Sequence, residues 1–179
     1  SSNYGIDKDG RVALYLEEKN RSWCTSSSAN DQRAITIECA SDTTEPFAFR
    51  DVVYQKLIVL CADICKRNGK KKLLWFGDKN KTLNYSPKAD EMVLTVHRWF
   101  ANKSCPGNWM YARMGELAEK VTGMLSDSDA DAAGDSDSVA GMQASVLKNL
   151  SDGDAIEKVG ALFTADMKKS GILASVSLA

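Results

Sequence analysis

Apolar and polar positions alternate along the chain in patterns that change with position. Asn3-Tyr4-Gly5-Ile6-Asp7 and Val12-Ala13-Leu14-Tyr15-Leu16 are β-prone runs flanking Lys8-Asp9-Gly10-Arg11, the signature of a hairpin around Asp-Gly. Residues 18–33 are polar and rich in Ser and Asn, which predicts a loop. Ala34-Ile35-Thr36-Ile37-Glu38-Cys39 is β-branched and reads as a central strand. Over residues 48–68, Val53, Leu57, Leu60, Cys61 and Ile64 recur at helical spacing, with Lys66 and Arg67 in the last turn and Gly69 as the C-cap. Leu73-Leu74-Trp75-Phe76 predicts a short strand, residues 77–90 a polar connection containing Pro87, and residues 108–124 a second amphipathic helix after Pro106-Gly107. Strands and helices interleave, so the expected fold is α/β, a mixed central sheet flanked by helices.

Beyond that part the pattern changes. Residues 126–138 are five Asp, four Ser, three Ala and one Gly. Such a stretch has nothing to bury and repels itself, so a flexible acidic linker is expected. Helical periodicity resumes over residues 139–179, through Val146, Leu147 and Leu150 and then Ile156, Val159, Leu162, Phe163 and Met167. It ends inside an apolar segment, Ile172 to Ala179, expected to be a helix. Three units follow: residues 1–125, a linker at 126–138 and a helical tail at 139–179.

Composition adds bounds. The 179 residues are 44% hydrophobic and 26% charged, ordinary for a globular protein. No run approaches the roughly 18 apolar residues of a membrane span, so no membrane insertion is expected. The opening, Ser1-Ser2-Asn3-Tyr4, reads as the middle of a protein. The net charge of -1 hides an asymmetry: residues 1–125 carry 19 Lys and Arg against 15 Asp and Glu, and residues 126–179 carry 4 against 9. That excess is too mild for a nucleic-acid partner. The five cysteines, Cys24, Cys39, Cys61, Cys65 and Cys105, are odd in number and irregular in spacing, unlike a disulfide framework. Cys61 and Cys65 lie one helical turn apart and read as core.

The chemistry concentrates in His97-Arg98-Trp99-Phe100-Ala101-Asn102-Lys103-Ser104-Cys105-Pro106-Gly107. His97 is the only histidine. A lone histidine is more often structural than a ligand, but Cys105 follows eight residues on at a helix start. Imidazole and thiolate are both zinc ligands, and a loop between them lets both point at one ion. Ser26, Ser27 and Ser28 lack a second histidine and nucleophile-elbow glycines, which argues against a serine nucleophile.

With these blocks in order, the chain resembles the zinc-dependent N-acetylmuramoyl-L-alanine amidases that share a fold with peptidoglycan-recognition proteins and several phage endolysins. The resemblance covers roughly residues 1–124. It rests on Ser2 to Ile6 with Asp9-Gly10-Arg11, Asn20-Arg21-Ser22-Trp23-Cys24, Asn30-Asp31 leading into Ala34 to Glu38, and His97 to Gly107. It implies a peptidoglycan hydrolase that cuts the amide between N-acetylmuramic acid and the first L-Ala of the stem peptide. Of three zinc ligands, it places two here, His97 and Cys105. The third, a histidine on an early strand, has no counterpart. Glu38 is implied as the carboxylate beside the metal-bound water and Lys103 as a catalytic lysine. The tyrosine of some relatives aligns with Ser2. Trp23, Asn30 and Arg11 are candidates to line a sugar and peptide groove. The resemblance further implies a monomer acting on bacterial peptidoglycan, outside the cell or at the wall, as an autolysin or as a phage endolysin released at lysis. Residues 154–179 weakly resemble the start of endo-N-acetylglucosaminidase domains. Two other readings stand beside the enzyme: a non-catalytic peptidoglycan-binding module, and a thiol peptidase using Cys105 with His97.

Overall fold

A computed structural model describes residues 1–130 and 173–178. In chain order the elements are β1 (Tyr4–Ile6), β2 (Val12–Leu14), α1 (Ser28–Asp31), β3 (Ile35–Ala40), α2 (Asp51–Arg67), β4 (Lys72–Leu74), α3 (Lys79–Asn84), β5 (Glu91–Val96), a 3-10 turn (His97–Trp99), α4 (Asn108–Tyr111), α5 (Met114–Ala130) and β6 (Leu173–Leu178). Six strands form one mixed sheet in the order β2-β1-β3-β6-β5-β4. β1 and β3 are parallel, β4 and β5 are parallel, and β6 runs antiparallel to both β3 and β5. The carboxyl ends of β1, β3, β4 and β5 therefore share one edge. This is the expected mixed sheet flanked by helices.

The hairpin closes as its sequence demands. Tyr4 pairs with Leu14 and Ile6 with Val12. Its tip is tied to the start of α2, because Arg50 donates to the Lys8 carbonyl at 3.0 Å and to Asp9 Oδ1 at 2.8 Å. α2 buries Val53, Leu57, Leu60, Cys61 and Ile64 on one face, each contributing about 1.5–3 kcal/mol. It stops at Asn68, where Gly69 turns to a φ of +66° and the Lys70 amide reaches back to the Cys65 carbonyl. α5 lies beside α2 and clamps β4 through Thr122, whose hydroxyl accepts from the Leu73 amide and donates to the Leu73 carbonyl.

Several expectations are corrected. The helix expected over 108–124 is two helices, broken at Ala112 and Arg113, and α5 runs through Ala130, five residues into the stretch expected as linker. Trp75 and Phe76 leave the sheet after β4 and join aromatic neighbours instead. The polar connection at 77–90 holds the short helix α3, capped by Asp78, whose side chain accepts from the Lys81 amide at 2.7 Å. β5, a buried strand absent from the sequence expectations, leads into His97. The last apolar segment, expected as helix, is strand over Leu173–Leu178 and sits in the middle of the sheet. β3 supplies β6 with backbone partners along its whole length and β5 along half of it, whereas a helix of six residues would close only a few internal bonds. The rest of the expected linker and tail lies outside the described residues.

Gly107 sets the entry to α4. Its φ of +84° belongs to a region that glycine alone occupies readily. A Cβ there would stand 2.8 Å from Phe47 Cβ and 3.1 Å from the Pro46 carbonyl. Gly107→Ala is expected to cost about 2–4 kcal/mol, the sum of backbone strain and overpacking. A urea unfolding midpoint measures it, and an unchanged midpoint would show that the loop shifts freely.

Candidate functional site

The sheet register brings two chain-distant residues to one level. Glu38 on β3 is paired with Ser175 of β6. Val96 at the end of β5 is paired with Val176, so His97, the next residue, reaches the level of Ser175 from the other side. With strands spaced about 4.8 Å apart, the two backbones stand about 10 Å from each other across β6. Side chains alternate along a strand. Ile37 and Cys39 enter the core against α2, so Thr36 and Glu38 face away from it. Leu94 and Val96 likewise enter the core, which leaves Thr95 on the same outer face as Thr36.

A single loop covers that face and touches both residues. Thr36 donates to Ser22 Oγ at 2.8 Å and fixes the start of the loop. Two residues on, the Cys24 thiol lies 3.7 Å from Glu38 Oε1. Thr25 is held by Asp31 through its amide, at 3.1 Å, and its hydroxyl, at 2.7 Å. Ser26 then places its hydroxyl 3.4 Å from His97 Nε2. Ser26 has a φ of +63°, uncommon for a residue with a side chain. Asp31 and Asn30 brace this conformation. The Asn30 amide donates to Thr25 Oγ1 at 3.3 Å and its oxygen accepts from Thr95 at 3.0 Å.

His97 opens the 3-10 turn, which is anchored by Trp99 stacked on Trp75 at 4.9 Å. The Arg98 amide donates to the Cys105 carbonyl at 3.0 Å, so the Cys-Pro-Gly block folds back beside the histidine. The Arg98 guanidinium grips the Ser104 carbonyl and reinforces that return. Cys105 is half-buried. Burial lowers the His97 pKa, the charge of Lys103 lowers it further, and Asp31 opposes both. Both lowering causes favour the neutral ring, the form that ligates a cation. Lys103 itself is exposed.

Glu38 is only partly exposed, and burial raises its pKa; the Cys24 thiol acts against that rise. A carboxyl that keeps its proton to higher pH is poised for proton transfer nearer neutrality. Tyr15, at the end of β2, is close enough for Glu38 to raise its phenol pKa, after burial as the larger cause.

The remaining candidates fall in different places. Trp23 is 70% exposed and carries the Arg21 guanidinium 3.8 Å over its ring. It directly precedes Cys24, whose thiol lies against Glu38. Asn30 is buried, with its amide engaged as above. Arg11 stays at the hairpin tip, where its Nε donates to Asp7. Ser2 is buried. Asp31 belongs to the Asn30-Asp31 block and Ser26 to a serine run, but their roles, like that of Tyr15, become visible only through these contacts.

The donor set can be tested against zinc. His97 and Cys105 suit it in kind, as imidazole and thiolate. They do not suit it in number, since catalytic zinc takes three protein ligands. Among the described residues no three His, Cys, Asp or Glu side chains come together as a metal-holding group. Nor is any helix among them long and apolar enough to cross a membrane.

Residues 1–108 match the sequence model of a family described as N-acetylmuramoyl-L-alanine amidase. No curated protein and no solved structure matches the chain.

Proposed function

Because the chain belongs to the N-acetylmuramoyl-L-alanine amidase family, we propose that it hydrolyses the amide between N-acetylmuramic acid and the first L-Ala of the peptidoglycan stem peptide. The observation that carries this reading is the placement of Glu38 and His97 at one level on one edge of the sheet, joined by the loop at Cys24 and Ser26. Substrates of open parallel sheets lie beyond the carboxyl ends of the strands; His97 stands just past the end of β5, and Glu38 lies two residues before the end of β3.

Glu38 accepts a proton from the attacking water and passes it to the leaving amine. Its raised pKa suits both transfers. Lys103, close enough to His97 to depress its pKa, faces the oxyanion that develops on the carbonyl. Trp23 offers an open aromatic face to the sugar. Zinc, held by His97, Cys105 and a further donor outside the described residues, would supply a more acidic water and a polarised carbonyl. The described residues do not complete that donor set, so the steps assigned above rest on Glu38 and Lys103 alone. The setting that fits such an enzyme is the bacterial wall, reached by secretion or at phage-induced lysis, with the chain acting as a monomer.

The incomplete donor set favours a second reading, a peptidoglycan-binding module without catalysis. Purified walls separate the two. The amidase reading predicts that incubation releases new amino groups without new reducing sugar ends. His97→Ala and Cys105→Ser should each lower that release at least about a hundredfold, as expected when a ligand pair is broken. A chain that sediments with walls and releases nothing, at any zinc concentration, is a binding module.

A further inference from the structure

On the face of β5 turned away from α2, between α1 and α3, lies a cavity of about 470 Å³. One end is Ser26, the residue that touches His97. Its walls are part apolar, with Val93, Phe100 and the 45% exposed Leu83. Two cations stand on its rim: Lys79 in α3 and Arg33 just after α1, both exposed. This trough shares Arg33 and Pro87 with a neighbouring cavity of about 850 Å³.

The charges along this trough are unequal in availability. Among the described residues no carboxylate lines it, and those of the neighbouring cavity are occupied within the protein. Asp31 holds Thr25, Glu91 holds the Tyr85 hydroxyl and the Lys88 amide, and Glu18 holds Arg67 and Tyr4. Neither Arg33 nor Lys79 forms an ion pair among the described residues. A ligand entering from the His97 end thus meets an apolar wall and two uncommitted positive charges, and no uncommitted negative one.

From this we infer that the trough is the leaving-amine side of the site and takes an acidic peptide, with Arg33 and Lys79 recognising its carboxylates. This rests on the amidase reading for the identity of the peptide: the stem, with a free α-carboxylate on a γ-linked second-position glutamate. It fixes the direction in which the substrate lies. The sugar lies towards Trp23, on the Glu38 side of the loop, and the stem runs past Ser26 under α3. It also makes the charge state of the stem a determinant of binding. Amidation of the second-position carboxyl removes the partner that Arg33 and Lys79 recognise.

The test uses the full chain and two soluble probes, muramoyl tripeptides with a free or an amidated second-position carboxyl. Binding is read by titration calorimetry at low and high salt. The free-acid probe should bind about tenfold more tightly than the amidated one, and salt should narrow the gap. In Arg33→Gln/Lys79→Gln the two probes should bind alike. Both residues are exposed, so thermal unfolding should be unchanged and serves as the folding control. Equal binding of both probes by the native chain, or a preference that survives the double substitution, would overturn the inference. Failure of the amidase reading looks different: charge-dependent probe binding would persist while walls release no amino groups.

Discussion

Glu38→Gln is expected to lower kcat/KM for wall hydrolysis by about 10²–10⁴-fold, the usual contribution of a positioned general acid–base. Gln keeps the size of the side chain and its ability to accept from the Cys24 thiol, so substrate binding should hold and the loss should fall on kcat. The pH profile supplies a readout that a purely structural role would not move. Burial raises the Glu38 pKa, so the acid limb of activity should lie above the ordinary carboxylate range and vanish in the variant. Stability should move the other way. A carboxyl whose folded pKa exceeds its unfolded one favours the fold while protonated and loses that advantage as pH rises through the folded value. Glu38→Gln should therefore unfold at a temperature equal to or above that of the native chain, by a margin that grows with pH over that window. A variant that retains most of its activity would reduce Glu38 to a half-buried strand carboxylate without a catalytic role.

The second large effect concerns β6. Its six residues pair with β3 over the whole strand and three of them also pair with β5. Without it the sheet divides into β2-β1-β3 and β5-β4, each with a newly open, apolar edge. Such edges recruit other chains. Val176→Pro removes a ladder donor from a central strand, a change of about 3 kcal/mol or more against a total stability of about 5–15 kcal/mol. The variant should lose ten degrees or more of thermal stability, and deletion of residues 173–179 should give an aggregating chain. Activity should fall with stability, because Glu38 and His97 are spaced by this strand. A synthetic peptide of residues 173–179 added in excess should restore part of the soluble, folded signal of the truncated chain. A truncated chain that is soluble and melts like the native one would show that the sheet closes without β6.

These two cases also show where the sequence was readable. The Asp-Gly hairpin and α2 could be read because their signals are local: a turn dipeptide between β-prone runs, and five apolar residues at helical spacing. Glu38, His97 and Cys105 were identifiable as residue types within recognisable blocks. Their arrangement was not. The level shared by Glu38 and His97 depends on Ser175, more than seventy residues further along, and the strand that holds Ser175 follows helical periodicity in a short apolar run that suits either structure. β5 was missed for a related reason: Met92-Val93-Leu94 is continuous apolar sequence with no alternation, as in a strand buried on both faces. The loop residues Ser26 and Asp31 act on one residue each, His97 and Thr25, and polar loop sequence carries no record of such pairings. Arg33 and Lys79 resemble any surface cations until α1 and α3 are placed on either side of β5.

The central claim is which bond the chain cuts, and mass spectrometry of soluble products from purified walls tests it most directly. The amidase account predicts free stem peptides that begin with an unblocked L-Ala, together with glycan chains whose muramic acids carry a free lactyl carboxylate. Stem peptides that remain attached to every muramic acid, with the walls bound but intact or cut only between sugars, would contradict it.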